Sequence, residues 1–225
     1  MSALTLSIKK GVAEITLDDG KANALSLAML EALLKALDEA AAADCAVLIS
    51  GRPGIFSGGY DRKLIDAGGP ECDAMRAAGD RLTMAMLDFP APLVIASTGH
   101  TMAKAAFMLL LADYRIGIDG PFKTGLNEVA IGMTMPDAAM PQARARLNPG
   151  WLSRCALQSE ILTPQQAVQA GFYDELVSAE QLLDRAREKV QSLARLDRKA
   201  YRETRRLMNE PLRKELAGAL KGRNA

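Results

Sequence analysis

A chain of 225 residues, 49% apolar and 24% charged, has the material for one globular body with a real core. Its 28 basic and 27 acidic side chains nearly cancel, which gives no reason to expect nucleic acid or an anionic membrane as a partner. One histidine and three scattered cysteines (Cys45, Cys72 and Cys155) argue against a metal centre or a disulfide framework, and for reduced, buried thiols in a cytoplasm.

The N-terminal "MSALTLSIKK" alternates and lacks the apolar core of a signal peptide. Leu4, Leu6 and Ile8, then Ala13, Ile15 and Leu17, alternate around Lys10-Gly11, which predicts a hairpin. Ser26 N-caps a strongly amphipathic helix, "SLAMLEALLKALDEAAAA". An apolar strand follows over Cys45–Ser50, then a glycine-rich corner, "GRPGIFSGGYDRKL", with Asp61 placed to cap the next helix. A helix is predicted over about Glu71–Leu87, a buried strand over Leu93–Ser97, a helix over Thr101–Ala112 and a third buried strand over Tyr114–Ile118. "TMAKAAFMLLLA" is the longest apolar stretch; Lys104 interrupts it and it is too short to cross a bilayer.

The middle of the chain therefore reads as strand, helix, strand, helix, strand, with short apolar strands suited to a parallel sheet covered on both faces. From Leu152 the pattern is mostly helical. The charged tail carries apolar residues at helical spacing and is expected to pack on its own body or on neighbouring subunits.

Two segments share one design. "VLISGRPGIFSGGYD" and "LVIASTGHTMAKAAF" each run a buried strand into glycine and then into a helix start. A helix N-terminus offers backbone N–H groups and a partial positive charge, so two such ends aimed at one point suit an oxygen that becomes negative. Each half alone is a weak signal, because strand–glycine–helix turns occur throughout α/β proteins.

With "KANAL", "FKTGLNEVAIGMTMP" and "ILTPQQAVQAGFYDELV", these segments form five ordered blocks. Together they resemble the crotonase, or enoyl-CoA hydratase/isomerase, family over nearly the whole chain. The resemblance implies an α/β fold, a crotonase-like ββα superhelix (a spiral). Residues 1–165 would form the thioester-binding core and residues 166–225 a helical region used in trimerisation. It implies an acyl-CoA thioester partner, coenzyme A entering as part of the substrate with no tightly bound cofactor, and a homotrimer or hexamer in the cytoplasm.

The resemblance also assigns residues. The backbone N–H of Tyr60 would be one half of an oxyanion hole and that of Lys104 the other; Glu128 would be the acid/base. Ala22, Ser57, Gly58, Gly59 and Asn127 would meet the substrate or its CoA arm, Asn127 from beside the base. Three departures stand out. The family's three glycines are Ala103, Lys104 and Ala105 here, and the first of the two hydratase glutamates is Phe107. No acid lies near Phe107 in sequence; Asp113 is over a turn and a half further on. A single glutamate favours moving the double bond of a 3-enoyl-CoA over adding water. Hydration, thioester hydrolysis, decarboxylation and acyl-CoA binding without catalysis stay open as alternatives. For the Lys104 side chain two readings stand: a packed stem with its ammonium in solvent, or an ammonium in the pocket against an acid or the CoA. Arg62 and Lys63 are read as solvated charge, His100 as structural, and Trp151, Met133, Met135 and Met140 as core or acyl-pocket lining.

Overall fold

The computed structural model describes residues 3–221. The first two residues of the N-terminal reading and positions 222–225 of the C-terminal region lie outside the described residues. The hairpin is present as β1 (Leu4–Lys9) and β2 (Val12–Leu17), antiparallel with Leu4 opposite Leu17. Ser26 caps α1 (Leu27–Ala42), its hydroxyl accepting from the Met29 amide at 3.3 Å. The chain then makes three similar turns. The first runs β3 (Ala46–Ser50), β4 (Gly54–Ser57), α2 (Arg62–Ala67) and α3 (Gly69–Leu87). The second runs β5 (Leu93–Ala96), β6 (Gly99–Met102) and α4 (Lys104–Leu111). The third runs β7 (Tyr114–Ile118), β8 (Thr124–Gly125), a 3₁₀ turn at Val129–Ile131 and α5 (Ala139–Arg146).

In every turn the first strand joins one sheet and the second joins another. The larger sheet has the order β1-β2-β3-β5-β7 and ends on β9 (Glu175–Val177); the smaller is β4-β6-β8. Apart from the hairpin, all these pairs are parallel. Two strands and then helix, wound three times, is the ββα spiral. The strands β4, β6 and β8 are two to four residues long and lie in glycine-rich corners, so they carry no alternation by which to find them in sequence. For the same reason α4 begins at Lys104, three residues later than the apolar run suggests.

The central strands read as apolar throughout because both faces are covered. Val47 and Ile49 of β3, with Leu93 and Ile95 of β5, face the main core; Ala46, Leu48, Val94 and Ala96 face a second cluster. That second face is closed by Leu182, Ala186 and Val190 of α8 (Leu182–Ala194).

Between α5 and α8 lie α6 (Pro149–Leu152), a π-helical turn at Ser153–Leu157 and α7 (Pro164–Ala170). The last helix, α9 (Arg198–Lys221), buries Leu212 and Leu216 in the main core. It also buries the Arg205 guanidinium, which pairs with Asp113 at 2.7 Å and donates to the carbonyls of Met86, Leu87 and Leu111, where α3 and α4 end. Removing one partner of such a buried pair leaves an uncompensated charge. The charged tail thus packs on its own body, and Asp113 is committed to holding it.

Candidate active site

The first corner is held rigidly from below. The Ser57 hydroxyl is buried, donates to the Asn23 carbonyl at 2.7 Å and accepts from the Gly59 amide at 3.1 Å. The Gly58 amide donates to the Ala22 carbonyl at 2.9 Å and the Leu25 amide to the Gly59 carbonyl at 2.8 Å. Asn23, fully buried with φ of 49°, donates from its side chain to the carbonyls of Leu17 and Phe56, both at 3.0 Å. Asparagine tolerates this left-handed backbone better than most residues. It is a positioning residue that the "KANAL" motif contained but that motif matching alone did not single out. Beyond the glycines, Tyr60 leads to Asp61, whose carboxylate accepts from the Lys63 amide at 2.9 Å and caps α2 as expected.

The second corner runs alongside, because β6 pairs with β4 and sets Ser57 opposite Thr101. The approach is close enough to exclude any side chain at position 59. A Cβ on Gly59 would fall 2.9 Å from the Met102 carbonyl oxygen and from the Ala103 Cβ, and 3.3 Å from the Lys104 amide nitrogen. Gly59 also has φ of 88°. The start of α4 therefore abuts the residue before Tyr60, and the first amides of a helix take no acceptor from within it. Ala103 stands where the family's glycine would, at φ of 51° and ψ of −126°. That conformation is expensive for a residue with a Cβ, by about 1–3 kcal/mol.

A cavity of about 290 Å³ opens beside the two corners. Tyr60, Arg76 and Asp80 border it on one side, Lys104 and Phe107 from α4, and Glu128 from the turn before Val129. Glu128 is only 6% exposed, and its Oε2 has no hydrogen-bond partner among the described residues. Burial pushes its carboxyl above the ordinary value; its own backbone amide and the Lys104 ammonium pull the other way. Carboxyls displaced by burial in this way cluster at functional sites.

Lys104 does not reach solvent. It is 8% exposed, and its ammonium donates to the Thr83 hydroxyl at 2.5 Å and lies 5.9 Å from the centre of the Tyr60 ring. The physical reason is that all residues of α4 are buried, so a lysine on it has no wet face to extend along; the cavity is the open space it meets. Thr83 and Asp80 come from α3, which sequence spacing did not bring to the site. The Tyr60 ring lies on the same helix: a Cβ at Gly79 would sit 1.9 Å from the Tyr60 hydroxyl, so only glycine lets the ring settle there.

Phe107, 2% exposed, forms an apolar part of the wall. Asp80 and Asp137 supply further carboxylates at the cavity, although no acid lies near Phe107 in sequence. Asn127 adjoins Glu128 in sequence, but its buried Oδ1 has no hydrogen-bond partner among the described residues. Met133 and Met135 line the cavity. His100 accepts from the Lys123 amide at 3.1 Å and meets Phe122 edge-on, a packing role. Arg62 pairs with Asp66 at 2.6 Å on the surface. No group of three or more metal-ligating side chains occurs among the described residues.

Comparison with known proteins agrees with this architecture. The enoyl-CoA hydratase/isomerase family profile matches residues 7–225. An enoyl-CoA hydratase/isomerase family protein from Pseudomonas syringae superposes with a TM-score of 0.95 at 39% identity, covering 98% of this chain and 96% of that one. A probable enoyl-CoA hydratase from Mycobacterium tuberculosis gives 0.94 at 33%, covering 98% and 94%. A second structure of that same Mycobacterium tuberculosis protein, described there as an enoyl-CoA isomerase, gives 0.93 at 32%, covering 98% and 97%. Sequence, spiral and converging corners all lead to one conclusion: this chain belongs to the enoyl-CoA hydratase/isomerase family.

Proposed function

We propose that the protein moves the double bond of a 3-enoyl-CoA to the 2-position, with Glu128 as the single proton carrier. The observation that carries the reading is a buried carboxylate with an unpartnered oxygen, opposite Phe107 rather than a second glutamate. Glu128, as carboxylate, takes a proton from C2 of the thioester. The electron pair moves into a dienolate whose negative charge rests on the thioester oxygen. The peptide N–H groups of Tyr60 and Lys104 hold that oxygen. The same proton returns at C4, the 2,3 double bond forms and Glu128 is a carboxylate again. No water enters and none leaves. Gly58, Ala22 and Ser57 keep the first corner in place for the CoA arm. One solved relative is described as a hydratase in one structure and as an isomerase in another, so family membership alone does not choose between the two reactions.

Asp80 favours a second reading. It borders the same cavity and would serve a hydratase as the partner of Glu128 in placing water. The two separate in one assay. Incubation with a 3-enoyl-CoA is expected to raise absorbance at the conjugated-enoyl band, and Glu128→Gln to abolish that rise by about 10³-fold or more while sparing binding. Loss of the same band from crotonyl-CoA, with no activity on the 3-enoyl ester, would select hydration; release of free thiol would select hydrolysis. The same reading expects a homotrimer or hexamer, which light scattering would test. Among the described residues no helix is long and apolar enough to cross a membrane.

A further inference from the structure

The cavity next to the corners is unusual for a site that would hold a plain hydrocarbon chain. Two cations border it. Lys104 lies inside, held by Thr83, and Arg76 sits half-buried at the edge, one turn before Asp80 on α3. Among the described residues Arg76 makes no ion pair, while fifteen other pairs are formed along the chain, several of them by arginines that are equally or more exposed. Around the cavity the charged side chains are Arg76 and Lys104 against Asp80, Glu128 and Asp137. Lys104 and Glu128 act on one another electrostatically, so any selection falls to Arg76 and not to the net charge of the cavity. Glu128 is buried and is assigned to proton transfer, and Asp137 is exposed to water.

An alkyl tail pushed against Arg76 would strip water from a guanidinium and return nothing to it, which is unfavourable. A carboxylate would return what is lost: Arg presents a planar fork of donors that matches its two oxygens. We propose that the acyl groups this site takes end in a carboxylate, and that Arg76 is the residue that selects them. This inference rests on the acyl-CoA reading above and adds the class of acyl group to it.

The test is equilibrium binding by calorimetry, which does not depend on turnover. Succinyl-, glutaryl-, adipoyl- and suberoyl-CoA are compared with butyryl-, valeryl-, hexanoyl- and octanoyl-CoA, pair by pair at equal carbon number. The dicarboxylic ester of at least one pair is expected to bind ~10-fold or more tightly, the scale of one charge-assisted contact. Arg76→Leu should bring that ratio to within about twofold, and Arg76→Lys should keep part of it, because charge survives and the fork does not. A thermal melt of each variant controls for folding, and the wild-type ratio stands without any variant. Equal or tighter binding of the alkyl esters at every length overturns the inference and leaves the acyl-CoA reading intact. Equal weakening of both series by Arg76→Leu also overturns it, since Arg76 would then hold the CoA moiety. Binding of neither series defeats the acyl-CoA reading itself and this inference with it.

Discussion

The two strand-to-helix corners do the same job with different means. At 54–62 the close approach is met by true glycines, and Gly59 takes φ of 88° without strain. At 103–105 the three glycines expected from the family are gone, and Ala103 holds φ of 51° with a Cβ in place. The second corner keeps its path because it is clamped: β6 lies between β4 and β8, and the Ala103 amide donates to the Gly125 carbonyl at 2.9 Å. Backbone geometry is thus retained while side chains change, and the altered side chain, Lys104, becomes a wall of the cavity. A hole made of peptide N–H groups tolerates such exchange because side-chain identity does not enter its chemistry.

The comparison breaks most completely at its centre. Gly59→Ala should collapse the meeting of the corners, since the new Cβ would press on the Met102 carbonyl and the Ala103 Cβ. Loss of one oxyanion donor alone lowers turnover by about 10²–10³-fold; here both corners shift, so the loss should be at least that, with a fall in Tm measured in the same preparation. Glu128→Gln leaves both corners intact and removes only the base. Because burial raises its pKa, the ionised Glu128 opposes folding. That opposition is absent at low pH, sets in as pH rises above the ordinary carboxyl value and is complete above the folded-state value. The Gln variant should therefore be more stable than wild type at pH 7, with a higher Tm, and lose the advantage on acidification.

Lys104→Met sharpens the contrast between backbone and side chain. The amide remains, so the oxyanion hole should survive. The ammonium that draws the Glu128 pKa downward is lost, so the acid limb of kcat/KM should move to higher pH. An unchanged limb, affinity and turnover would reduce the lysine to packing. The smallest effect is expected from Ala103→Gly, which restores glycine in the strained position. Relief of backbone strain and the added freedom of the unfolded chain oppose each other, leaving a net gain of about 1 kcal/mol, visible as a rise in Tm.

Much of this arrangement was legible from the residues. The hairpin, the Ser26 and Asp61 caps, the apolar strands β3, β5 and β7 and the order of the turns follow from alternation, capping and covered-sheet patterning. The second strands of each turn were not, since two to four residues in a glycine-rich corner have no period to detect. Glu128, Tyr60 and Lys104 were reached through the family resemblance and do border one cavity. Asp80, Thr83 and Arg76 were invisible because they come from α3, whose rotation against α4 is set by packing, with Gly79 seating the Tyr60 ring. The direction of the Lys104 side chain did leave a trace. A helix reading "KAAFMLLL", apolar on all sides, has no surface along which a lysine can extend to water.

The central claim is that the amides of Tyr60 and Lys104 grip one thioester oxygen within reach of Glu128. A crystal structure with a non-reactive acyl-CoA analogue tests it most directly. The account predicts the thioester oxygen ~3 Å from both nitrogens, with the Glu128 carboxylate over the C2 carbon. A thioester oxygen bound to neither amide, or a C2 carbon facing away from Glu128, would contradict it.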